Sequence, residues 1–235
     1  MNIDEMVARV KELSSCDTVL LSFSRGKDAW GCWCALRDKV DIQPFHYYAG
    51  PPHLSFIDEY LEYAEKKIGK HIINVPAPMM YDLLASGTGG IQPPNRVPAQ
   101  IALGLVPTTF EDIQTLCARD AGLPETTYTA LGVRAADSAR RALFFKTHGP
   151  ITENLLKFYP IWDWKKDKLV EELKRHDVKL PIDYELFGRS FDGLYYAFLK
   201  PIKDKYPDDY KRILEYFPLL DMEIYRHEKR KEAGF

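Results

Sequence analysis

The run Thr18-Val-Leu-Leu-Ser-Phe23, followed by Ser24-Arg-Gly-Lys-Asp28 and an apolar helical stretch, constrains the fold more than any other segment. A compact β-prone run without polar alternation is the pattern of a strand buried on both faces of a parallel sheet. The small polar turn after it leads directly into a helix expected over Ala29 to Lys39. Upstream, Met6, Val10 and Leu13 fall at helical spacing, which predicts a short amphipathic helix over Asp4 to Ser14. Downstream, Ile42 to Tyr48 reads as a second strand. Ser55 to Ile68 reads as an amphipathic helix with Ser55 as its cap and Gly69 as its stop. His71 to Val75 reads as a third strand. Strand, helix, strand, helix, strand at this spacing predicts a right-handed parallel α/β sheet.

Residues 76 to 98 break the pattern. Ser86-Gly-Thr-Gly-Gly90 and Pro93-Pro94 stand close together, and such a run reads as loop, either a plain connector or a segment able to move over a neighbouring site. Phe110 to Ala121 reads as a helix and Tyr128-Thr-Ala-Leu-Gly-Val133 as a further buried strand. Beyond residue 160 aromatic residues crowd between expected helices at Trp164 to His176, Pro207 to Tyr216 and Leu219 to Lys231. Interleaved aromatics and bases can bind nucleic acid, but a helical part packing its aromatics on the sheet fits this spacing better. The expected division is an α/β domain over 1–160 and a helical, aromatic-rich extension over 161–235 packed on it.

Charge and composition narrow the function classes. Lys plus Arg total 32 against 34 acidic residues, a net charge of −2, and neither the first 150 residues nor the rest is a basic module. Bulk electrostatic attachment to nucleic acid therefore has no support, while a local anion site needs only a few positioned groups. Apolar stretches such as Val97 to Val106 fall short of the roughly 20 residues of a membrane span, so no membrane partner is expected. Met1-Asn-Ile-Asp-Glu5 lacks the basic-then-apolar order of a signal peptide. Four cysteines (Cys16, Cys32, Cys34, Cys117) in 235 residues are not a disulfide framework, and a reducing, cytoplasmic compartment is the expectation. The six histidines show no paired ligand spacing, and no G-x-S-x-G elbow is present.

The turn itself carries the chemistry. A strand ending in small residues at a helix start aims backbone N–H groups and the positive end of a helix dipole at one spot, as an anionic phosphate requires. Ser22, Phe23, Ser24, Arg25, Gly26 and Lys27 would line it, with Lys27 as a point charge. Asp28 is placed to hold Mg²⁺ or a ribose hydroxyl. Neither G-x-x-x-x-G-K-[ST] nor G-x-G-x-x-G is present. The competing reading is an ordinary turn that carries a lysine.

These residues resemble the PP-loop of the ATP-pyrophosphatase superfamily, and in the form S-F-S-x-G-K-D they most resemble the phosphoadenosine phosphosulfate (PAPS) reductase family. Ser22, Phe23, Ser24, Gly26, Lys27 and Asp28 match the loop of that family. Arg25 stands where it has a glycine, either restoring a positive contact or blocking the usual approach. Ala29 stands where it has a serine or threonine, which removes one phosphate contact. Gly132-Val-Arg-Ala-Ala-Asp-Ser-Ala-Arg-Arg141 is similar to the family's G-x-R-x-x-[DE]-S-x-x-R, whose arginines clamp phosphate or sulfate oxygens. Pro160-Ile-Trp-Asp-Trp164 is similar to its P-[IL]-x-x-W element, and Gly90 to Arg96 loosely to the loop before its R-W-C segment, without the Trp and Cys.

The resemblance implies a Rossmann-like three-layer parallel sheet and an adenine nucleotide partner. It further implies ATP and Mg²⁺ as cofactors and cleavage at the α–β bond to adenylylate a small-molecule or nucleic-acid acceptor. Lys27, Asp28, Arg134 and Arg141 would carry the chemistry. The reductases of the family attack sulfur with a cysteine near the C-terminus, and here no cysteine follows Cys117. A PAPS reductase-type protein using a thiol from elsewhere, and a degenerate nucleotide-binding module, stand as alternatives. A homo-oligomer is compatible with everything above.

Overall fold

A computed structural model describes residues 1–85, 92–93, 95–96, 98, 102, 104 and 108–234. By internal contacts these fall into two compact units, the first being 1–47, 61–75 and 111–181, the second 48–60, 76–110 and 182–235.

The first unit is built on a six-stranded, mostly parallel sheet. Its strands are β1 (Thr18–Ser22), β2 (Asp41–Tyr48), β3 (Ile73–Pro76), β4 (Thr129–Ala130), β5 (Ile151–Thr152) and β6 (Lys157–Phe158). They lie in the order β3-β2-β1-β4-β6-β5. β1 is parallel to both β2 and β4, with Leu21 opposite Pro44 and Ala130, and β4 is parallel to β6. Only β5 is shown running antiparallel, against β6. This mixed α/β sheet is compatible with the Rossmann-like class expected.

Burial explains the central strand. Val19, Leu20 and Leu21 are all fully buried, so both faces of β1 are covered and each side chain contributes roughly 1.5–3 kcal/mol. Leu20 and Phe45 pack against Ile113, Cys117 and Ala118 of α5 (Phe110–Asp120). α2 (Lys27–Leu36) begins two residues before its expected start and packs through Gly31 on Leu169, Ile161 and Trp164. Leu169 belongs to α7 (Lys166–Arg175), which starts two residues later than expected, after the extended backbone of its cap Lys165. α1 (Ile3–Ser14) opens with a capping box, the Asn2 side chain accepting from Glu5 N and the Glu5 side chain accepting from Asn2 N.

Three expectations need correction. The strand expected over 128–133 is only Thr129–Ala130, because Gly132 and Arg134 belong to a loop that breaks the ladder. The loop expected from residue 76 contains a helix, α4 (Pro78–Ala85), with proline at the start where its missing N–H costs nothing. The Gly-rich stretch from Ser86 to Gly90 lies outside the described residues. Ser55 is not a cap but the first residue of α3 (Ser55–Ile68). The buried Asp209 carboxylate accepts from Ser55 N and Oγ, both at 2.8 Å. Gly69 does stop α3, at φ +81°.

The second unit is helical apart from the strand ends it receives. It contains α8 (Asp183–Phe187), α9 (Tyr196–Lys205), α10 (Pro207–Tyr216) and α11 (Asp221–Glu232). Its core stacks Phe56 on Phe191 and Phe191 on Phe198 edge to face, at 5.7 and 5.3 Å between centroids. Gln92 and Arg96 donate to the carbonyls of Tyr216 and Glu215, satisfying acceptors orphaned at the end of α10. No helix among the described residues is long and apolar enough to cross a membrane.

Candidate functional site

Strand order marks a candidate position before any side chain is considered. The chain runs from β1 outward through β2 to β3, then returns to place β4 on the other side of β1. The connections therefore diverge between β1 and β4, the switch point where ligands of open α/β sheets bind, beyond the carboxyl ends of the strands. The two segments that emerge there are residues 23–28 after β1 and residues 131–141 after β4.

The first turn is held by main-chain bonds. Phe23 N donates to Phe45 O at 2.7 Å, and Trp30 N donates to Gly26 O at 3.2 Å, opening α2. Phe23 is buried edge-on against Trp30 at 5.1 Å. Gly26, as the cap of α2, makes no side-chain hydrogen bond to the first helical turn. Arg25 sits at φ +64° with its side chain buried. A left-handed conformation costs a non-glycine residue roughly 1–2 kcal/mol. Ser22 is half-buried at the end of β1, and Ser24 is exposed.

The second segment is fastened at both ends. Leu131 N donates to Phe158 O, and Ala135 N to Trp162 O at 2.7 Å, so the Pro160–Trp164 element anchors the arginine loop through its main chain. Gly132 lies against the first turn of α2, where a Cβ would meet Asp28 C at 2.7 Å and Asp28 O at 2.8 Å. Ser138 caps α6 (Ala139–His148), its Oγ accepting from Arg141 N.

Side chains of the two segments join in one chain of alternating charge. Lys27 Nζ is 2.6 Å from Asp28 Oδ2, and Arg134 Nε is 2.9 Å from Asp28 Oδ1. Arg134 Nη2 donates to Asp137 Oδ1 at 2.7 Å, and Arg141 Nη1 to Asp137 Oδ2 at 2.8 Å. The Arg134 side chain is 6% exposed, whereas Lys27 and Arg141 are 41% and 49% exposed. A buried guanidinium thus links two carboxylates, and a cation open to solvent stands at each end. Lys27, Asp28, Arg134 and Arg141 are all brought together; Arg140 lies on the exposed side of α6. Lys27 at 2.6 Å and Arg134 at 2.9 Å stand against the two oxygens of Asp28, so Mg²⁺ at this carboxylate would compete with both cations.

Two residues escaped the sequence reading as site members. Asp137 sits inside the quoted motif, but its role of holding both arginines is visible only in three dimensions. His46 lies in β2, and its Nδ1 bonds Phe23 O at 2.9 Å. A carbonyl only accepts, so Nδ1 carries the proton and the fully buried Nε2 is an acceptor. Burial first, and then the Arg25 charge, push its pKa down to about 3. Its strand also carries Asp41 and Gln43, so nothing in the local pattern singled this imidazole out.

That shift has a consequence for stability. The folded pKa lies below the unfolded value of about 6.5, so the unfolded chain takes up a proton first as pH falls. This group should therefore erode stability by about 1.4 kcal/mol per pH unit from about pH 6 toward 3. Urea unfolding across that window should show the slope in wild type and a shallower one in His46→Gln. Equal slopes would remove His46 as the cause.

All four cysteines are free thiols, and burial pushes Cys34 and Cys117 up to about 12. No family model matches this chain, and comparison with curated proteins finds no significant relative.

Proposed function

We propose that the chain binds an adenine nucleotide at the carboxyl ends of β1 and β4, and adenylylates an acceptor by cleaving ATP between the α and β phosphates. The observation that carries this reading is the convergence of the 22–28 turn and the 132–141 loop, distant in sequence, on a single cationic chain. In the reaction an acceptor oxygen attacks the α-phosphorus as the α–β bond breaks. Pyrophosphate leaves with the bonding electron pair, and the acceptor proton passes to solvent. Such chemistry needs placement and charge neutralisation, not a protein nucleophile. First-turn amides of α2 and the Lys27 ammonium would receive the leaving pyrophosphate, with Arg134 and Arg141 meeting charge from the other side. The work would be done in the cytoplasm, on a small-molecule or nucleic-acid acceptor.

Calorimetry with ATP, GTP, PAPS and adenosine 3′,5′-bisphosphate tests the reading. ATP should bind, and Lys27→Ala should weaken it about 10–100-fold, the loss of one charge-assisted contact. Preference for PAPS would replace adenylylation by sulfonucleotide chemistry. Absence of any nucleotide binding would sink both.

A further inference from the structure

The chain of charges says more about Asp28 than that it is near a phosphate site. A carboxylate that serves a metal keeps at least one oxygen open toward it. Asp28 offers neither oxygen openly: Lys27 bonds Oδ2, and Oδ1 is buried 2.9 Å from Arg134 Nε without an aligned hydrogen bond. Asp137, the next carboxylate along, is likewise spent on Arg134 and Arg141. No group of three or more His, Cys, Asp or Glu able to hold a metal occurs among the described residues. Lys27, Arg134 and Arg141 thus meet Asp28 and Asp137 in one connected chain. The carboxylates also hold the cations where an incoming oxyanion would meet them. The Arg134 Nε–H, buried and close to Asp28, has no aligned acceptor. Side-chain entropy lost in ordering Lys27 and Arg141 is thus met within the protein before a ligand arrives.

We propose that Asp28 is a positioning residue that orients Lys27 and Arg134, and that this site takes a polyphosphate oxyanion without a protein-bound divalent ion. The inference rests on the nucleotide reading above and replaces its metal by the protein's own cations. Magnesium would then travel only as the nucleotide's counter-ion.

The probe is inorganic pyrophosphate, titrated calorimetrically into the full chain in EDTA and again in excess Mg²⁺. Wild type should bind in EDTA at least as tightly as in Mg²⁺. Asp28→Asn should weaken binding in both buffers by the same factor, about tenfold, since each cation loses its charged anchor. Binding that requires Mg²⁺ would overturn the proposal. So would an Asp28→Asn variant that loses only a Mg²⁺ enhancement while its EDTA binding stays intact. If Asp28→Asn fails to fold, judged by its circular dichroism melt, the exposed Arg141→Gln replaces it. A loss of about fivefold in EDTA is then expected, and an unchanged affinity overturns the proposal. ATP run alongside separates the two levels. ATP binding that occurs only with Mg²⁺ defeats this inference alone. Failure of ATP and pyrophosphate in both buffers defeats the nucleotide reading with it.

Discussion

Gly132→Ala should lower the melting temperature by about 5–10 °C and remove nucleotide binding, a single methyl group doing both. The new Cβ would lie 2.7 Å from the Asp28 carbonyl carbon, 2.8 Å from its oxygen and 3.0 Å from Ala29 N. All three are main-chain atoms in the first turn of a packed helix, so nothing flexible can yield. Overpacking of this kind costs about 2–3 kcal/mol. Relief requires α2 to slide or the 131–134 loop to lift, and either movement separates Asp28 from Arg134. Gly31→Ala is the internal control. Its Cβ would sit even closer to a neighbour, 2.5 Å, but the neighbour is a terminal methyl of Leu169. A leucine end can rotate, and alanine is favoured over glycine inside a helix by about 1 kcal/mol. Thermal melts with ATP titrations on both variants would decide the matter. An undisturbed Gly132→Ala protein would mean the two segments are not in this contact.

Arg134→Leu should be the most damaging change to a charged residue, by about 3 kcal/mol. Deleting a buried cation between two carboxylates leaves Asp28 and Asp137 facing each other's charge with only Lys27 and Arg141 to compensate. Their side chains remain about one-fifth exposed, so water softens the loss below that of a sealed pair. Arg134→Lys separates charge from shape. Lysine restores the positive charge but cannot reach two carboxylates with a planar fork, so stability should recover more than oxyanion binding does. Denaturant unfolding and pyrophosphate calorimetry on both variants measure the two quantities. Full recovery of binding in the lysine variant would reduce the guanidinium to a point charge.

The core of the fold was open to reading because burial on both faces leaves an unbroken apolar run, as at Thr18 to Ser22. Helical spacing did the same for α1, α3 and α10. Short strands were harder. β4, β5 and β6 are two residues each, far below the length at which a period can be counted. Asp209 shows the other difficulty: it caps a helix 154 residues away in sequence, and no local pattern carries that information. In the site, the turn after β1 was legible because its backbone role restricts which residues can occupy it. The ion pairs across to Arg134 were not, since spacing gives which residues share a loop but not which carboxylate a guanidinium faces.

The two-residue β5 has a meaning for how copies of this chain can meet. It ends the sheet beyond β6, runs against its neighbour, and passes at once into a tight 3₁₀ turn over Glu153–Leu155. A border that short offers another strand almost no row of open amides to zip onto. Sheet growth from molecule to molecule is therefore blunted on that side, and self-association there would have to proceed through side chains.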